Sequence, residues 1–557
     1  MRRIILFITL SGLCGAFSAA QETAIITDAD IAPGDTVTLT ANTEWILDGY
    51  VYVEEGSVLV VEPGTVVRGR LIPSNGVDLT SALIISRGGK IIAEGTKEFP
   101  IIFTAELDDL SVTDDFTAED NQFWGGLLIM GRAPIGEDVD VQTGELYPVD
   151  NIEGIPSTES RARYGGEDPE DNSGILKYVS IRHGGSVLGA DNEINGLTLG
   201  GVGRGTTIEY VEVFANKDDG FEIFGGTVNA KHLVVAFCGD DAYDFDESWD
   251  GALQFLLSIQ LDMSIVEDGD TEGFGDHAIE YDGPESANKE PKTVGRIYNG
   301  TFIGAGLNSM NNLSSDGLIL RLDAAVQIWN SIFTEMSGYG FRVEDTSLDR
   351  LMAGESGFFS NIVHNIGTLA QGNNQTVLNA LAAGNTQQVD PELAGLSRIP
   401  DEGLDPRPNG GSPTLSGATW PPARDLDFID QVNYRGAFNN VDNWALGWTA
   451  VDAYGYFGDL VITSAKAWEK NGFTLNVYPN PVRGIASIAF ELLSESRVNL
   501  DLIDLTGKIA ASFISQWHFP GGKFDQLIDV SGLPQGMYIA RLKTDEVTLL
   551  QRIVINN

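Results

Sequence analysis

The feature that most constrains the fold is a five-residue pattern that recurs through the middle of the chain. It occurs as GFEIF at 220–224, AYDFD at 242–246, AIEYD at 278–282, ILRLD at 319–323 and GFRVE at 340–344, with a weaker copy, GLTLG, at 196–200. The shorter intervals are about 22 residues, a typical length for one turn of a β-solenoid. The longer intervals contain polar, glycine-bearing inserts, which we interpret as loops that leave the coil.

Apolar and charged residues alternate within each copy of the pattern. Alternate side chains of a strand point to opposite faces, so the apolar positions are predicted to form two stacked layers inside the coil. The layers are Phe221, Tyr243, Ile279, Leu320 and Phe341, and beside them Ile223, Phe245, Tyr281, Leu322 and Val343. Stacked turns bury a core that a single turn could not bury alone. The pattern predicts an all-β parallel β-helix over residues 21–394.

The opposite parity of the same pattern predicts two outward columns. The first is Glu222, Asp244, Glu280, Arg321 and Arg342, and the second is Phe224, Asp246, Asp282, Asp323 and Glu344. Adjacent strands lie about 4.8 Å apart, so ionised carboxylates in register repel one another. Bound cations, the arginines, raised pKa values or high salt would compensate. The nine charged residues are candidate ligand-binding residues; the alternative is that they are solvated surface charges.

Residues 268–280 contain a second cluster of oxygen donors. Asp268, Asp270, Glu272 and Asp276 occupy positions one, three, five and nine of a loop with Gly273 at position six. This spacing resembles the start of a calcium loop, but position twelve is Ile279 and no flanking helices are predicted. We expect either a calcium site or a solvated acidic loop.

The same charged columns supply the candidates for catalysis. Glu222, Asp244 and Asp246 are the candidates for the paired carboxylates of a glycoside hydrolase, and Arg321 or Arg342 for the base of a lyase. His183 and His277 are expected at turns or on the surface. The sequence has no zinc spacing, phosphate-binding loop, GxSxG or dinucleotide fingerprint, so no organic cofactor is predicted.

Composition and the termini bear on location and partners. The chain has 80 acidic and 34 basic residues, a net charge of −46, which disfavours binding to nucleic acid. Residues 1–20 resemble a secretory signal, with Arg2 and Arg3 before an apolar run and small residues up to Ala20. No other apolar run is long enough to span a membrane. Export through the periplasm, with no transmembrane span in the mature chain, is therefore expected.

The end of the chain changes character twice. Residues 395–460 are rich in Pro, Gly and Asp and then in aromatic residues, and we interpret them as a cap of the β-helix in which Trp444 and Trp448 are packing residues. Residues 461–472 are interpreted as a linker. Residues 473–557 alternate in the manner of short antiparallel strands and predict a small β-sandwich.

Two parts of the chain resemble known families. The middle, in RHGG at 182–185, DDGFEIFGGTVNAKHL at 218–233 and GDDAYDFDESWDG at 239–251, is similar to secreted bacterial right-handed parallel β-helix proteins of pectate-lyase-like architecture. The end, in YPNP at 478–481, LTG at 505–507, LPQGMY at 533–538 and QRIV at 551–554, resembles the type A sorting domain of type IX secretion cargo. The second resemblance implies recognition by the type IX secretion machinery and a secreted or surface-attached protein.

The sequence leaves three functions open. The leading hypothesis is a non-catalytic, adhesive protein that binds extracellular polysaccharide or matrix, with calcium as a candidate cofactor. The alternatives are a polysaccharide lyase or glycoside hydrolase on the same fold, and a passive structural spacer. An enzyme should contain carboxylates whose pKa values are driven apart.

Overall fold

The protein is described from a computed structural model of the 557-residue chain. It describes residues 22–112, 115–136, 138–139, 146–147, 149–189, 192–262, 275–284, 291–309, 315–421, 423–458, 474–478, 482–492, 495–503, 508–544 and 548–555. Among these residues, no helix is long and apolar enough to cross a membrane.

A parallel β-helix forms the body of the molecule, as predicted. Twenty-five strands join in one continuous sheet that coils so that each strand pairs with the equivalent strand of the next turn. The coil has three faces, which we call the front, back and side sheets. Each buries its inward side chains in a shared core of Val, Ile, Leu and aromatic residues, because no turn could bury them alone.

The front sheet carries the recurring pattern. Its strands are Tyr50–Val53, Ala82–Ile85, Leu127–Met130, Leu197–Gly200, Phe221–Phe224, Tyr243–Asp246, Ile279–Asp282, Leu318–Arg321 and the end of Ile332–Val343.

The back sheet begins with Thr36–Leu39, Val58–Val61 and Lys90–Glu94, and ends with Val326–Trp329 and Gly357–Phe359. The side sheet begins with Glu22–Ile26, Thr43–Leu47, Val66–Gly69 and Ile101–Ala105, and ends with the start of Ile332–Val343, Ile362–Ala370 and Gln387–Gln388. Between these, five long strands serve both sheets: Gly174–Arg182, Thr207–Phe214, Ala230–Ala236, Ala252–Ile259 and Gly295–Ile303.

Each long strand bends at one left-handed residue where it passes from the back to the side sheet. Tyr178, Tyr210, His232 and Phe255 have φ values of 48°, 56°, 58° and 60°. This conformation is unfavourable for side chains of this size. The four rings stack in order, with centroids 4.4, 4.2 and 4.9 Å apart, and the stacking offsets part of the cost of each bend.

The predicted register holds over three turns of the front sheet and is wrong in the fourth. Phe221 pairs with Tyr243, and Phe245 with Tyr281, as predicted. Leu320, however, pairs with Tyr281, which places it in the second layer and Leu318 in the first. Leu322 was predicted to be internal, but it lies beyond the strand at φ 54° and is 38% exposed. The prediction aligned ILRLD on its acidic residue, whereas the strand ends two residues earlier.

Short hairpins and helices lie outside the main sheet of the coil. Two-stranded hairpins are Asp138–Val139 with Leu146–Tyr147, Asp150–Asn151 with Arg163–Tyr164, Val187–Gly189 with Asn192–Glu193, and Leu393–Leu396 with Leu404–Pro408. The α-helices are Ser347–Ala353, Gln375–Ala383 and Ala450–Ala453, and the 3-10 turns are Asp28–Asp30, Ser160–Ala162, Gln371–Asn373 and Pro413–Leu415.

Residues 418–457, which we call the returning segment, run back along the flank of the coil. The amide of Thr419 donates to Asn330, that of Asp430 to Gln254, and that of Ala437 to Thr301. Further on, Trp444 and Trp448 pack into a second apolar cluster over the side sheet, which confirms them as packing residues. These residues cover a flank of the coil, and a cap over residues 395–460 stays a prediction.

The C-terminal strands form two antiparallel sheets around a separate core. One sheet contains Thr474–Tyr478, Ile485–Leu492 and Gly522–Asp529, and the other Ser496–Ile503, Ile509–Phe519, Gly536–Lys543 and Thr548–Ile555. Leu475, Ile488, Leu500 and Ile553 are among the residues buried between them. The predicted β-sandwich is confirmed.

Candidate functional site

Three acidic residues of the front sheet stack directly above one another. Glu222 pairs with Asp244, and Asp244 pairs with Glu280, so the three predicted neighbours occupy one outward column on consecutive turns. The next positions in this column are Ile319 and Arg342. Arg321 was predicted to follow Glu280, but it pairs with Asp282 in the second column, because of the two-residue register error.

A third file of polar residues lies beside these columns, in the turn that precedes each front strand. Asp219, Asp241, His277 and Asp316 occupy equivalent positions on four turns. Asp219 accepts a hydrogen bond from the amide of Asp241 at 2.9 Å, and Asp241 accepts one from the amide of His277 at 2.6 Å. These carboxylates therefore hold successive turns together and at the same time lie beside the outward acidic column.

None of this third file was among the predicted site residues. His277 was expected at a turn or on the surface; it lies in a turn but is buried, with Nδ1 2.8 Å from Oδ1 of Asp241. The sequence signal that could have identified this file is an Asp or His that recurs two residues before the first residue of each of these front strands.

Three carboxylates that are close enough to share a metal ion are Asp219, Glu222 and Asp244, which we call the carboxylate trio. One oxygen from each lies within 4.8 Å of the others. Glu222 is only 5% exposed and accepts a hydrogen bond from Nδ2 of Asn195. Oδ1 of Asp244 is buried and has no hydrogen-bond partner among the described residues. A buried carboxylate oxygen without a donor is costly, so this atom indicates an unmet ligand or a proton.

Burial is the main cause of the perturbed titration of the trio. Burial, and then the carboxylates of Glu153 and Asp244, raise the pKa of Glu222 well above its ordinary value. Burial likewise raises the pKa of Asp244, with Glu280 and Asp241 adding to the rise. Like charges this close cannot all be ionised unless a cation lies among them. The trio therefore holds either protons or a cation.

Basic groups border the acidic column on the side of the later turns. Arg321 donates to Glu280, and its Nε lies 2.8 Å from Oδ1 of Asp282. Burial and Glu280 raise the pKa of Asp282 to about 6, although Arg321 opposes the rise. Burial lowers the pKa of His277, but its carboxylate neighbours, Asp241 above all, outweigh burial and raise it to about 9.

Of the remaining predicted site residues, Arg342 and Asp323 lie away from the trio, whereas Asp246 lies on the same strand as Asp244 and adds to the rise of its pKa. Arg342 contacts Asp316 at 3.3 Å and Glu344 at 3.2 Å, at the far end of the file. Asp323 was predicted in the second column, but it lies past the strand end at φ 63° and pairs with Lys292 at 2.5 Å. Asp246 follows Phe224 in the second column, as predicted.

The predicted calcium loop is only partly covered by the structure. Asp268, Asp270 and Glu272 lie outside the described residues. Asp276 is described, and its carboxylate oxygen lies 3.7 Å from Nδ1 of His277. Burial is the first cause that raises the pKa of Asp276 to about 6. Asp276 therefore borders the acidic column.

The fold and the two domains define a class: an exported parallel β-helix protein with a secretion sorting domain. The chain belongs to the family of the pectate-lyase-like beta helix domain, whose model matches residues 31–396. The model of the secretion system C-terminal sorting domain matches residues 476–556. The type IX sorting domain indicates export, followed by secretion or surface attachment, and recognition by the type IX machinery.

Comparisons outside these families add little. No curated protein matches the chain. Among solved structures, the enzymatically active domain of tailspike protein 2 of bacteriophage CBA120 is similar at 11% identity and a TM-score of 0.25, over 94% of this chain and 72% of that one. A similarity of this size carries no argument about function.

Proposed function

We propose that this protein works outside the cell by binding extracellular polysaccharide or matrix through its front sheet, with a divalent cation held by the carboxylate trio. The observation that carries the proposal is the buried, partnerless Oδ1 of Asp244 beside the oxygens of Asp219 and Glu222. Buried titratable groups that the fold does not neutralise are characteristic of functional sites.

The donor set of the trio fits calcium. Calcium takes oxygen ligands at about 2.3–2.6 Å, so two ligands on opposite sides of the ion are up to about 5 Å apart. The trio oxygens lie within 4.8 Å of one another, inside that limit. All three donors are carboxylates, which suit a hard cation better than zinc or copper. Asp219, Glu222 and Asp244 would hold the ion, and an ion bound there would neutralise their mutual repulsion.

An exported protein meets extracellular polysaccharides, which could complete the coordination of a cation at such a site. Three protein carboxylates leave coordination positions that hydroxyl or carboxylate groups of a polysaccharide can fill. Arg321 lies one turn beyond Glu280 and offers a further cationic group on the same face. We also propose that residues 1–20 direct export of the protein through the periplasm.

The test is calorimetric titration of the mature chain with calcium chloride, followed by a glycan panel with calcium or chelator. The Glu222→Gln, Asp244→Asn double variant should lose calcium binding and calcium-dependent glycan binding. Glu344→Gln, which removes a charge from the far end of the second column, should leave both unchanged. If the double variant binds calcium and glycans as the wild type does, the trio is not the site.

The titration of the same residues favours a second candidate, a glycoside hydrolase. Burial raises the pKa values of Glu222 and Asp244 well above their ordinary range, whereas Asp282 titrates at about 6. Separated pKa values of this kind allow one carboxyl to donate a proton to a leaving oxygen while another accepts one from water. Arg321 is already paired with two carboxylates and stays protonated, which disfavours it as the base of a lyase. Release of reducing ends from any glycan of the panel, lost in Glu222→Gln, would support the hydrolase over the binder.

A further inference from the structure

A cavity of about 560 Å³ lies at the corner between the front and back sheets, away from the carboxylate trio. The returning segment forms one wall, from Ala423 to Phe428, and the coil forms the other, with Arg204, Asp250 and Arg296. Its volume lies in the range typical of sites for small ligands. The proposed role of the front sheet does not involve it.

Buried ion pairs fix the floor of this cavity. Arg296 is buried and donates from Nη1 to Asp250 at 2.5 Å and from Nε to Asp425 at 2.9 Å. Asp425 also accepts from the hydroxyl of Tyr298 at 2.9 Å, and it is held at φ 59°. Asp is one of the few residues that tolerate this conformation, and here its side chain is fastened at the same time. The wall that carries Arg424 is therefore held in place without a ligand.

Two arginines reach solvent at the mouth of the cavity. The side chain of Arg424 is 53% exposed and shares Asp250 with Arg296, through Nη2 at 2.5 Å. The side chain of Arg204 is 42% exposed and pairs with Glu170, itself 64% exposed, at 3.0 Å. Ion pairs between exposed groups contribute little, so an incoming anion can replace Glu170. A guanidinium has five N–H donors, and the described bonds of each arginine use only a few.

We propose that this cavity, the arginine pocket, binds the acidic end of an anionic saccharide. The two guanidinium groups match the planar carboxylate or the sulfate of such a sugar. Asp427 offers acceptors to sugar hydroxyl groups, and Leu426 and Phe428 offer an apolar wall to the ring. An inorganic anion would use only the arginines, whereas a saccharide uses all three kinds of group. Binding here needs no cation, in contrast to the trio.

The overall charge of the chain makes such a pocket selective. With a net charge of −46, the surface repels anions in general. Anionic sugars are therefore expected to bind where arginines converge, and to bind less well as salt screens the arginines.

The experiment is calorimetric titration of the full mature chain, in chelator, with four probes: tetragalacturonate, a sulfated heparin tetrasaccharide, neutral maltotetraose and sodium sulfate. We expect at least one acidic tetrasaccharide to bind at least tenfold more tightly than maltotetraose or sulfate. Arg204→Ala with Arg424→Ala should weaken it at least tenfold, and Arg424→Lys should restore part of the loss in Arg424→Ala. Raising the salt concentration should weaken binding of the wild type.

Matched variants separate this pocket from other causes. Arg132→Ala removes an arginine that is also 42% exposed and paired with a glutamate, but lies outside the pocket, and should not change the affinity. Glu222→Gln with Asp244→Asn should leave it unchanged too, so failure of the trio and failure of the pocket are distinguishable. The proposal is overturned if neither acidic tetrasaccharide binds, if maltotetraose or sulfate binds equally well, or if the double arginine variant retains its affinity.

Discussion

Replacing Asp244 with asparagine should stabilise the protein at alkaline pH when calcium is removed. Asp244 lies between Glu222 and Glu280 on adjacent turns. At a strand spacing of about 4.8 Å and an effective dielectric near 20, each ionised neighbour repels it by about 3.5 kcal/mol. Proton uptake limits the total, because a carboxyl in this position keeps its proton rather than bear the full repulsion. We expect Asp244→Asn to raise the free energy of unfolding by about 3 kcal/mol at pH 8 in chelator.

The sign of the pH dependence follows from the raised pKa values. Folded Asp244 and Asp282 hold their protons to higher pH than the unfolded chain does, and the pKa of Asp282 is about 6 against an ordinary value of 3.8. The folded state thus binds more protons above about pH 4, so their contribution is complete below that pH and is lost as pH rises through the folded pKa. For Asp282 this amounts to about 3 kcal/mol, lost between about pH 4 and 6. Asp244→Asn should therefore match the wild type at pH 3.5 and exceed it at pH 8.

Calorimetric unfolding of both proteins at pH 3.5 and pH 8, with calcium or chelator, tests this reasoning. For a body of roughly 400 residues, 3 kcal/mol corresponds to a rise of about 3–4 °C in Tm. Calcium should raise the Tm of the wild type at pH 8 and not that of the variant. Asp35→Asn, an exposed substitution with the same change of charge, should shift neither value. A variant less stable than the wild type at pH 8 in chelator, or altered equally at both pH values, would refute the electrostatic account.

Three further outcomes are expected from other parts of the structure. Arg321→Ala removes a cation beside Glu280 and Asp282 and should tighten calcium binding about fivefold in calorimetric titration. The control is Arg342→Ala, which removes a more distant cation and should change the affinity less. Weaker calcium binding by Arg321→Ala would contradict the placement of the ion. Glu212→Gln removes the buried carboxylate that accepts from the amides of Ala450 and Val451 at 2.6 and 3.1 Å. It should lower the free energy of unfolding by about 2–3 kcal/mol and speed hydrogen exchange in residues 437–457, whereas Glu209→Gln, at a half-buried position on the same strand, should do neither. Gly174 has φ 120°, and Gly174→Ala places a Cβ 1.8 Å from the carbonyl oxygen of Ile91, so it should lower the free energy of unfolding by about 3 kcal/mol or more. Gly34→Ala, whose Cβ meets no atom within 4 Å, should lower it by about 1 kcal/mol. Equal effects of the two substitutions would mean that the coil relaxes around the new methyl group.

The sequence predicts the fold well because each turn of the coil repeats the same short alternation of apolar and charged residues. Alternation within GFEIF, AYDFD and AIEYD sets both the inward layers and the stacking of Glu222, Asp244 and Glu280. The same alternation misplaced Leu322 and Asp323, because periodicity does not show where a strand ends in a left-handed turn.

The candidate site was predictable only in the residues that lie on strands. Asp219, Asp241 and His277 lie in turns, and turn chemistry explains such residues without any site. What gathers them beside the outward column is the vertical register of the turns, which the sequence alone does not fix. The arginine pocket could not be foreseen, because it joins Arg204 and Arg424, which are far apart in the chain and meet only through the returning segment.

The returning segment also determines how the body responds to force. In a plain solenoid each repeat touches only its neighbours, so the end repeat can peel away by itself. Here the turns that contain Asn330, Thr301, Gln254, Glu212 and His183 all bond to the same stretch of chain. A pull on residue 458 reaches the coil through the ring of Tyr454 beside His183, partway along the body. Because the segment is fastened along its length, the load is shared in shear across several turns instead of unzipping the last one.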